Sequence, residues 1–171
     1  MDRFDREELE SAFRHYWQTG AVGEDWAGFA RLFTPDALYV EHVLGVRRGP
    51  AEIRAWLEPT MERYCELYTV YEWHMVDPAA ERIVVYMQNR RDHPSGEGAI
   101  DFPGLTILHY AGDGRFDFEE DFWAVPAAQK AFQDYAAACE KHDPGHQARR
   151  TRLDWGRGPD WTRGAPSWFE R

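Results

Sequence analysis

Helical spacing of apolar residues marks three segments in the first part of the chain. The first segment, residues 5–19, is predicted to be a helix that begins with the capping-box pair Asp5 and Glu8 and ends at Gly20. Residues 24–34 form a short helix with acids in its first turn, and residues 50–64 form a third in which Pro59 predicts a kink or a break. The residues at buried spacing are Leu9, Ala12, Phe13, Tyr16, Trp17, Trp26, Phe29, Leu32, Phe33, Ile53, Trp56, Leu57, Met61 and Tyr64.

Strands separated by turns dominate the middle of the chain, and a helix from Pro126 through Cys139 follows them. Pro103 and Gly104 predict a bulge or a late start in one of these strands, and residues 45–49 are predicted to be a turn. Helices around one short strand, then consecutive strands, indicate an α+β fold with an antiparallel sheet. The predicted strands are residues 38–43, 69–76, 82–91, 101–110 and 112–123.

The last predicted strand alternates strictly, after a tight-turn Asp-Gly pair. Asp117, Glu119, Asp121 and Trp123 are predicted to fall on one side, and Phe116, Phe118, Glu120 and Phe122 on the other. Two arrangements fit this pattern. Either the acids face water and the Phe side is core, or the acids line a pocket and the Phe side is buried elsewhere.

Composition narrows the possible partners. The chain has 171 residues, 43% of them hydrophobic, and a formal net charge of −10. Nucleic acid and anionic membranes both favour a basic surface, so neither is expected as a partner. Cys65 and Cys139 lie far apart without a metal or redox spacing. The first ten residues are acidic and lack an apolar run, so no signal peptide is expected, and no apolar stretch approaches bilayer length. We therefore expect a cytoplasmic protein with reduced thiols and no metal site.

The chain is expected to divide into a folded domain, residues 1–144, and a tail, residues 145–171. The tail holds six Arg against three acids, which gives it a net charge of +3 and leaves −13 for the domain. It is also rich in aromatic residues, which is unusual for a disordered tail. We predict that it packs on the domain or on a partner subunit through its rings, which belong to Trp155, Trp161, Trp168 and Phe169.

The sequences LFTPDALYVEHVLGVRRGPAEIRAWL and YAGDGRFDFEEDFW, in this order, resemble the SnoaL-like polyketide cyclase and ketosteroid isomerase families. The resemblance extends over residues 8–137. It implies the cone-shaped α+β barrel of nuclear transport factor two, in which a curved, antiparallel or mixed sheet wraps around three N-terminal helices. Members include isomerases, dehydratases, cyclases, epoxide hydrolases and binding proteins, so the resemblance is more specific for fold than for reaction.

Catalytic residues follow from this resemblance position by position. Tyr16 is similar to the oxyanion-binding Tyr of ketosteroid isomerases, and His42 in EHVLG stands where those enzymes have their general base. Thr106 replaces their second, protonated Asp, which makes steroid isomerase activity unexpected. Asp121 in EEDFW is similar to the acid-base Asp of SnoaL-like cyclases and epoxide hydrolases. The resemblance also places Glu119 and Trp123 inside the cone, and Trp56 is taken as pocket wall.

Two functions from different classes remain open. His42 and Asp121 in one aromatic cone, with Tyr16 polarising an oxygen, would suit acid-base chemistry on a hydrophobic, oxygenated small molecule without a cofactor. Lyase, isomerase, cyclase and hydrolase reactions all fit. The alternative is a non-catalytic module that uses the same cone for binding or assembly. If the acids point inward, Phe118 and its neighbours form an apolar outer face, which predicts a homodimer.

Overall fold

The computed structural model describes residues 3–164, and its first helix differs from the prediction at its end. Helix α1 spans Arg6–Trp17 and continues into one π-helical turn, Gln18–Val22, instead of ending at Gly20. Gly20 is required by packing, because a Cβ there would lie 2.6 Å from a carbon of the Phe29 ring. This close approach brings the end of α1 against the next helix.

The remaining helices are shorter or more continuous than the sequence suggests. Helix α2 spans only Trp26–Ala30, because the chain already enters a strand at Phe33. Helix α3 spans Gly49–Arg63 and continues through Pro59 while it packs on α2 and the first strand. Helix α4 spans Val125–His142. Within the described part of the chain, no helix has the length and apolar character needed to cross a membrane.

One curved, mixed sheet of six strands forms the concave body of the cone. The strands are β1 Phe33–Glu41, β2 Gly45–Arg48, β3 Tyr68–Asp77, β4 Arg82–Asp92, β5 Ala99–Gly112 and β6 Arg115–Trp123. They lie in the order β2-β1-β6-β5-β4-β3; β1 and β6 run parallel, and the other neighbours are antiparallel. Strand β2 occupies residues predicted to be a turn. Strand β5 passes Pro103 and Gly104 with unbroken pairing to β4, so neither a bulge nor a late start occurs there.

The alternation along β6 is interrupted by a bulge that the sequence pattern does not reveal. Its pairing with β5 shifts register near Phe116, which turns that ring into the core, where it is fully buried. Asp117 points away from the cavity and contacts His109. The predicted sides are therefore wrong for Phe116 and Asp117. They are right for Glu119 and Asp121, which line the cavity.

The outer face of the sheet is apolar across four strands. The strand register places Trp73, Tyr86, Leu105 and Phe122 in one row from β3 to β6. Trp73 and Phe122 are 42% and 41% exposed, and Met75 beside this row is 61% exposed. Contiguous exposed apolar residues of this kind mark interaction surfaces more often than free surface.

The described part of the tail, residues 145–164, packs along β3 and α1. The Trp155 ring lies 5.1 Å from the Tyr68 ring, and the Trp161 ring lies 5.5 Å from that of Tyr71. Both tryptophans are partly buried. The predicted aromatic packing is confirmed for these two rings, whereas Trp168 and Phe169 lie outside the described residues.

Charge pairing also joins the tail to the domain. Arg152 Nε donates to Glu24 Oε1 at 3.1 Å, and Arg150 lies 3.4 Å from the other carboxylate oxygen. Glu24 is only 2% exposed, and Arg152 also donates to the carbonyl of Cys65 at 2.9 Å. The tail thus connects the segment before α2 with the segment after α3.

Candidate active site

A cavity of about 290 Å³ lies between the concave face of the sheet and the helices. This volume is near the lower end of the range for small-molecule sites. Most of its wall is apolar and aromatic, with rings contributed by α1, α2, α3, α4, β1, β5 and β6. Among them are Trp17, Trp26, Tyr39, Trp56, Phe102, Trp123 and Phe132.

Asp121 on β6 presents a carboxyl group whose two oxygens are both held by hydroxyl groups. Tyr39 donates to Oδ2 at 2.5 Å, and Thr106 donates to Oδ1 at 2.5 Å. Thr106 lies directly opposite Asp121 in the β5–β6 pairing. Burial raises the pKa of Asp121 from its ordinary 3.8 to about 6; the Thr106 and Tyr39 hydrogen bonds oppose the rise, and the charge of Glu41 adds to it. The carboxyl therefore changes charge near neutral pH.

Glu119 lies two residues earlier on the same face and is 1% exposed. The Tyr16 hydroxyl donates to its Oε1 at 2.8 Å, whereas Oε2 has no hydrogen-bond partner among the described residues. Burial raises the pKa of Glu119 well above its usual range, and the charge of Asp121 raises it further, despite the opposing Tyr16 and Tyr39 hydroxyls. Burial and the neighbouring charge therefore both favour the protonated form of Glu119. Burial, followed by the nearby carboxyls, also raises the pKa of Tyr16.

Glu41 at the end of β1 is the third carboxyl in the cavity wall and is 4% exposed. Its Oε1 accepts from the Trp123 indole at 2.6 Å, and its Oε2 accepts from the backbone N–H groups of Val43 and Leu44. In the β1–β6 pairing it stands opposite Asp121. All three of these hydrogen-bond partners are N–H donors, whereas Asp121 brings a second carboxyl group close to Glu41.

The cavity therefore combines three carboxyl groups with a lack of basic groups. No Lys, Arg or His lines it within residues 3–164. The same described part of the chain contains no group of three or more His, Cys, Asp and Glu residues able to hold a metal ion. A carboxyl with a pKa of about 6, beside a second carboxyl whose pKa is raised well above its usual range, can accept a proton at one position and return it at another.

His42 lies outside this cavity, so the expectation that it faces Asp121 is wrong. Its Nε2 is 2.8 Å from Glu120 Oε1, and its side chain is 50% exposed. Its ring lies 4.7 Å from that of Phe122, on the outer side of the sheet. Because Glu41 points inward at the end of β1, the next residue faces the opposite side.

The other predicted site residues all line the cavity. Tyr16, Trp56, Thr106, Glu119, Asp121 and Trp123 meet there, although their functional roles stay predictions. Sequence reasoning missed Tyr39 and Glu41, which alternate inward along β1, and the indoles of Trp17 and Trp26. The N–H groups of these two indoles are buried and have no acceptor among the described residues.

Comparison with known proteins agrees with this architecture. The model of the SnoaL-like domain family matches residues 11–117. Among curated proteins, no match is found.

Solved structures with the same fold have low sequence identity to the chain. A Jannaschia sp. CCS1 protein named a SnoaL-like polyketide cyclase is 21% identical, with a TM-score of 0.59 over 77% of this chain and 94% of that one. PrhC from Penicillium brasilianum is 19% identical, with a TM-score of 0.60 over 82% and 94%. SalBIII, an epoxide hydrolase/cyclase-like enzyme of salinomycin pyran ring formation, is 14% identical, with a TM-score of 0.58 over 72% and 95%. At these identities the likeness shows the fold alone.

Proposed function

Because the chain belongs to the SnoaL-like domain family, we propose that it is an enzyme that transfers protons on an apolar, oxygenated small molecule bound in the cavity, without a cofactor. The observation that carries the proposal is Asp121. Its carboxyl lines an aromatic cavity, is held by two hydroxyl groups, and has a pKa of about 6. General bases are most effective when their pKa lies near the working pH.

Asp121 is the proposed base. At neutral pH its carboxylate takes a proton from a C–H or O–H group of the substrate, and as a carboxylic acid it returns that proton to another atom. The Tyr39 and Thr106 hydroxyls fix the orientation of the carboxylate throughout. The same exchange serves isomerisation, elimination, cyclisation and addition of water, so the proposal concerns proton transfer and not one of these reactions.

Tyr16 and Glu119 form the proposed oxygen-binding pair. A neutral Glu119 can donate its proton to the Tyr16 oxygen, which frees the Tyr16 hydroxyl to donate to a substrate oxygen in the cavity. The unpartnered indole N–H groups of Trp17 and Trp26 supply two further donors in the same wall. Three donors and an apolar lining favour a substrate that is hydrophobic but carries oxygen.

Proton abstraction can be measured without the natural substrate by using 5-nitrobenzisoxazole as a probe. A carboxylate removes the proton from its C3 carbon, the ring N–O bond breaks, and a coloured cyanophenolate forms. We expect a rate that rises as the pH passes through about 6, because only the ionised form of Asp121 is a base. Asp121→Asn should lower the rate by about 10²–10⁴-fold.

Two matched controls make the test specific. Asp113→Asn makes the same chemical change at an exposed turn beyond the cavity, and His42→Ala removes the imidazole from the outer face; both should keep the rate. If Asp121→Asn also keeps it, or if the protein does not accelerate the reaction at all, the alternative of a non-catalytic binding module is favoured.

A further inference from the structure

The carboxyl groups in the cavity wall have no basic residue beside them among the described residues that line the cavity. Glu41 accepts from one indole and two backbone N–H groups, and Asp121 accepts from two hydroxyls, so every hydrogen-bond donor to these two carboxyl groups is uncharged. Within residues 3–164, no Lys, Arg or His lines the cavity. Buried carboxylates are ordinarily paired with a cation or a metal ion.

Surrounding titratable groups do not change this balance. Burial and the nearby carboxyls raise the pKa values of Tyr16 on α1 and Tyr39 on β1, and burial followed by the charge of Asp121 raises the pKa of Glu119 on β6, so that the uncharged form of all three is favoured. Tyr64 after α3 also lines the cavity. The unpartnered Glu119 Oε2 is a further buried oxygen in this wall, and it lacks a donor in the described residues. The wall therefore combines carboxyl groups that have only uncharged donors with a buried carboxyl oxygen that has no hydrogen-bond partner among the described residues.

The remaining wall suits a cation as well. Trp17, Trp26, Trp56 and Trp123 all line the cavity, and the faces of indole rings attract positive charge more strongly than other aromatic rings. One such contact already exists at the cavity wall, where the Arg47 guanidinium lies 5.0 Å from the Trp56 ring centre. Aromatic rings beside carboxylates form the usual environment for bound ammonium groups.

We propose that the ligands of this cavity carry a positively charged amine or ammonium nitrogen on an apolar body, with that nitrogen facing Glu41 and Asp121. The inference rests on the proposed function in taking this cavity as the site, and it adds the class of substrate. A positive nitrogen also makes neighbouring C–H groups more acidic, because loss of the proton then removes charge. Such a substrate would suit a carboxylate as weakly basic as Asp121.

Choline and 3,3-dimethylbutan-1-ol are matched probes, because they have the same shape and differ in a nitrogen that bears charge and a carbon that does not. Calorimetric titration at about pH 8, where Asp121 is ionised, should give at least about tenfold tighter binding of choline. The affinity for choline should fall as the pH drops through about 6, because the cation binds the ionised carboxylate. The affinity for the alcohol should not change over this range.

Two variants test whether the preference for choline depends on the charge of the cavity wall or on the shape of the cavity. Asp121→Asn should remove most of the preference for choline and its pH dependence, while binding of the alcohol stays within about twofold. Asp113→Asn makes the same chemical change at an exposed turn outside the cavity lining and should retain the preference and its pH dependence. Equal or tighter binding of the alcohol by the unchanged protein, or no binding of either probe at millimolar concentrations, would overturn the inference.

The reaction of 5-nitrobenzisoxazole distinguishes this failure from failure of the proposed function, since that probe is neutral. Turnover that depends on Asp121, combined with no preference for choline, would leave the enzyme proposal standing and remove the cationic substrate class. A preference for choline without turnover would support the cationic ligand and assign the cavity to binding alone.

Discussion

Replacing Asp121 with Asn should stabilise the folded protein above about pH 6, although it removes the proposed base. The folded state holds this carboxyl at a pKa of about 6, whereas its ordinary value is 3.8. Below about pH 4 the carboxyl group is protonated in both the folded and the unfolded state, so its titration contributes nothing to the free energy of unfolding. Above about pH 6 it is ionised in both states, and the folded state bears the whole cost of the buried charge.

The difference between these two pKa values corresponds to about 3 kcal/mol in the free energy of unfolding. Asn has only one oxygen to accept from Tyr39 or Thr106, so the variant loses about 1 kcal/mol at every pH. Asp121→Asn should therefore be about 1 kcal/mol less stable than the unchanged protein near pH 4 and about 2 kcal/mol more stable near pH 8.

Urea unfolding followed by tryptophan fluorescence, at one protein concentration and at several pH values, measures this difference directly. Asp113→Asn serves as the control, because the same substitution at an exposed turn with φ of 53° suits Asn and should show no such step. If the stability of Asp121→Asn relative to the unchanged protein does not rise between pH 4 and 8, the folded state does not raise the pKa of Asp121, and the reasoning is refuted.

Three further predictions test other parts of the molecule. Glu119→Gln should keep the probe reaction within about fivefold, because the amide donates to Tyr16 as the neutral acid does, whereas Glu119→Ala should lose about tenfold or more. Arg152→Ala should lower the free energy of unfolding by about 3 kcal/mol, because it removes a partner of buried Glu24. Deletion of residues 145–171, which removes the charge pairs of the tail, should lower the melting temperature in calorimetry, and most of all at low salt. Trp73→Glu, in the apolar row on the outer face, should convert the predicted homodimer into a folded monomer in analytical ultracentrifugation; a monomer before substitution would contradict the dimer.

The fold could be predicted from the sequence because its signals are local and repeated. Helical spacing and a resemblance over most of the chain place α1, α3 and α4 with small errors at their ends. The errors arise where tertiary packing outweighs local preference. Pro59 does not end α3, because the helix packs against α2 and β1. Gly20 does not end the first helical segment; it is the position where the Phe29 ring lies too close for a Cβ atom.

The bulge in β6 could not be predicted, because it depends on a neighbouring strand. Alternation alone assigns Phe116 and Asp117 to fixed sides, yet the shift in register against β5, which occurs on both sides of Tyr110, reverses both. The shift buries a large ring that would otherwise add to the outer surface, and it places Asp117 against His109 instead of in the cavity. Neither benefit is visible within the segment itself.

The position of His42 shows where a resemblance and a physical pattern disagree, and the pattern was the better guide. In β1 the inward residues recur at every second position, from Ala37 to Tyr39 to Glu41. This parity directs Glu41 toward Asp121 and His42 toward Glu120, whatever residue a related enzyme has at the same place. Because of this parity, the proposed base Asp121 has other carboxyl groups beside it in the cavity and no imidazole. With His42 outside, the cavity lacks the one basic group that the resemblance predicted there. This absence is the reason that we propose a positively charged substrate beside Glu41 and Asp121.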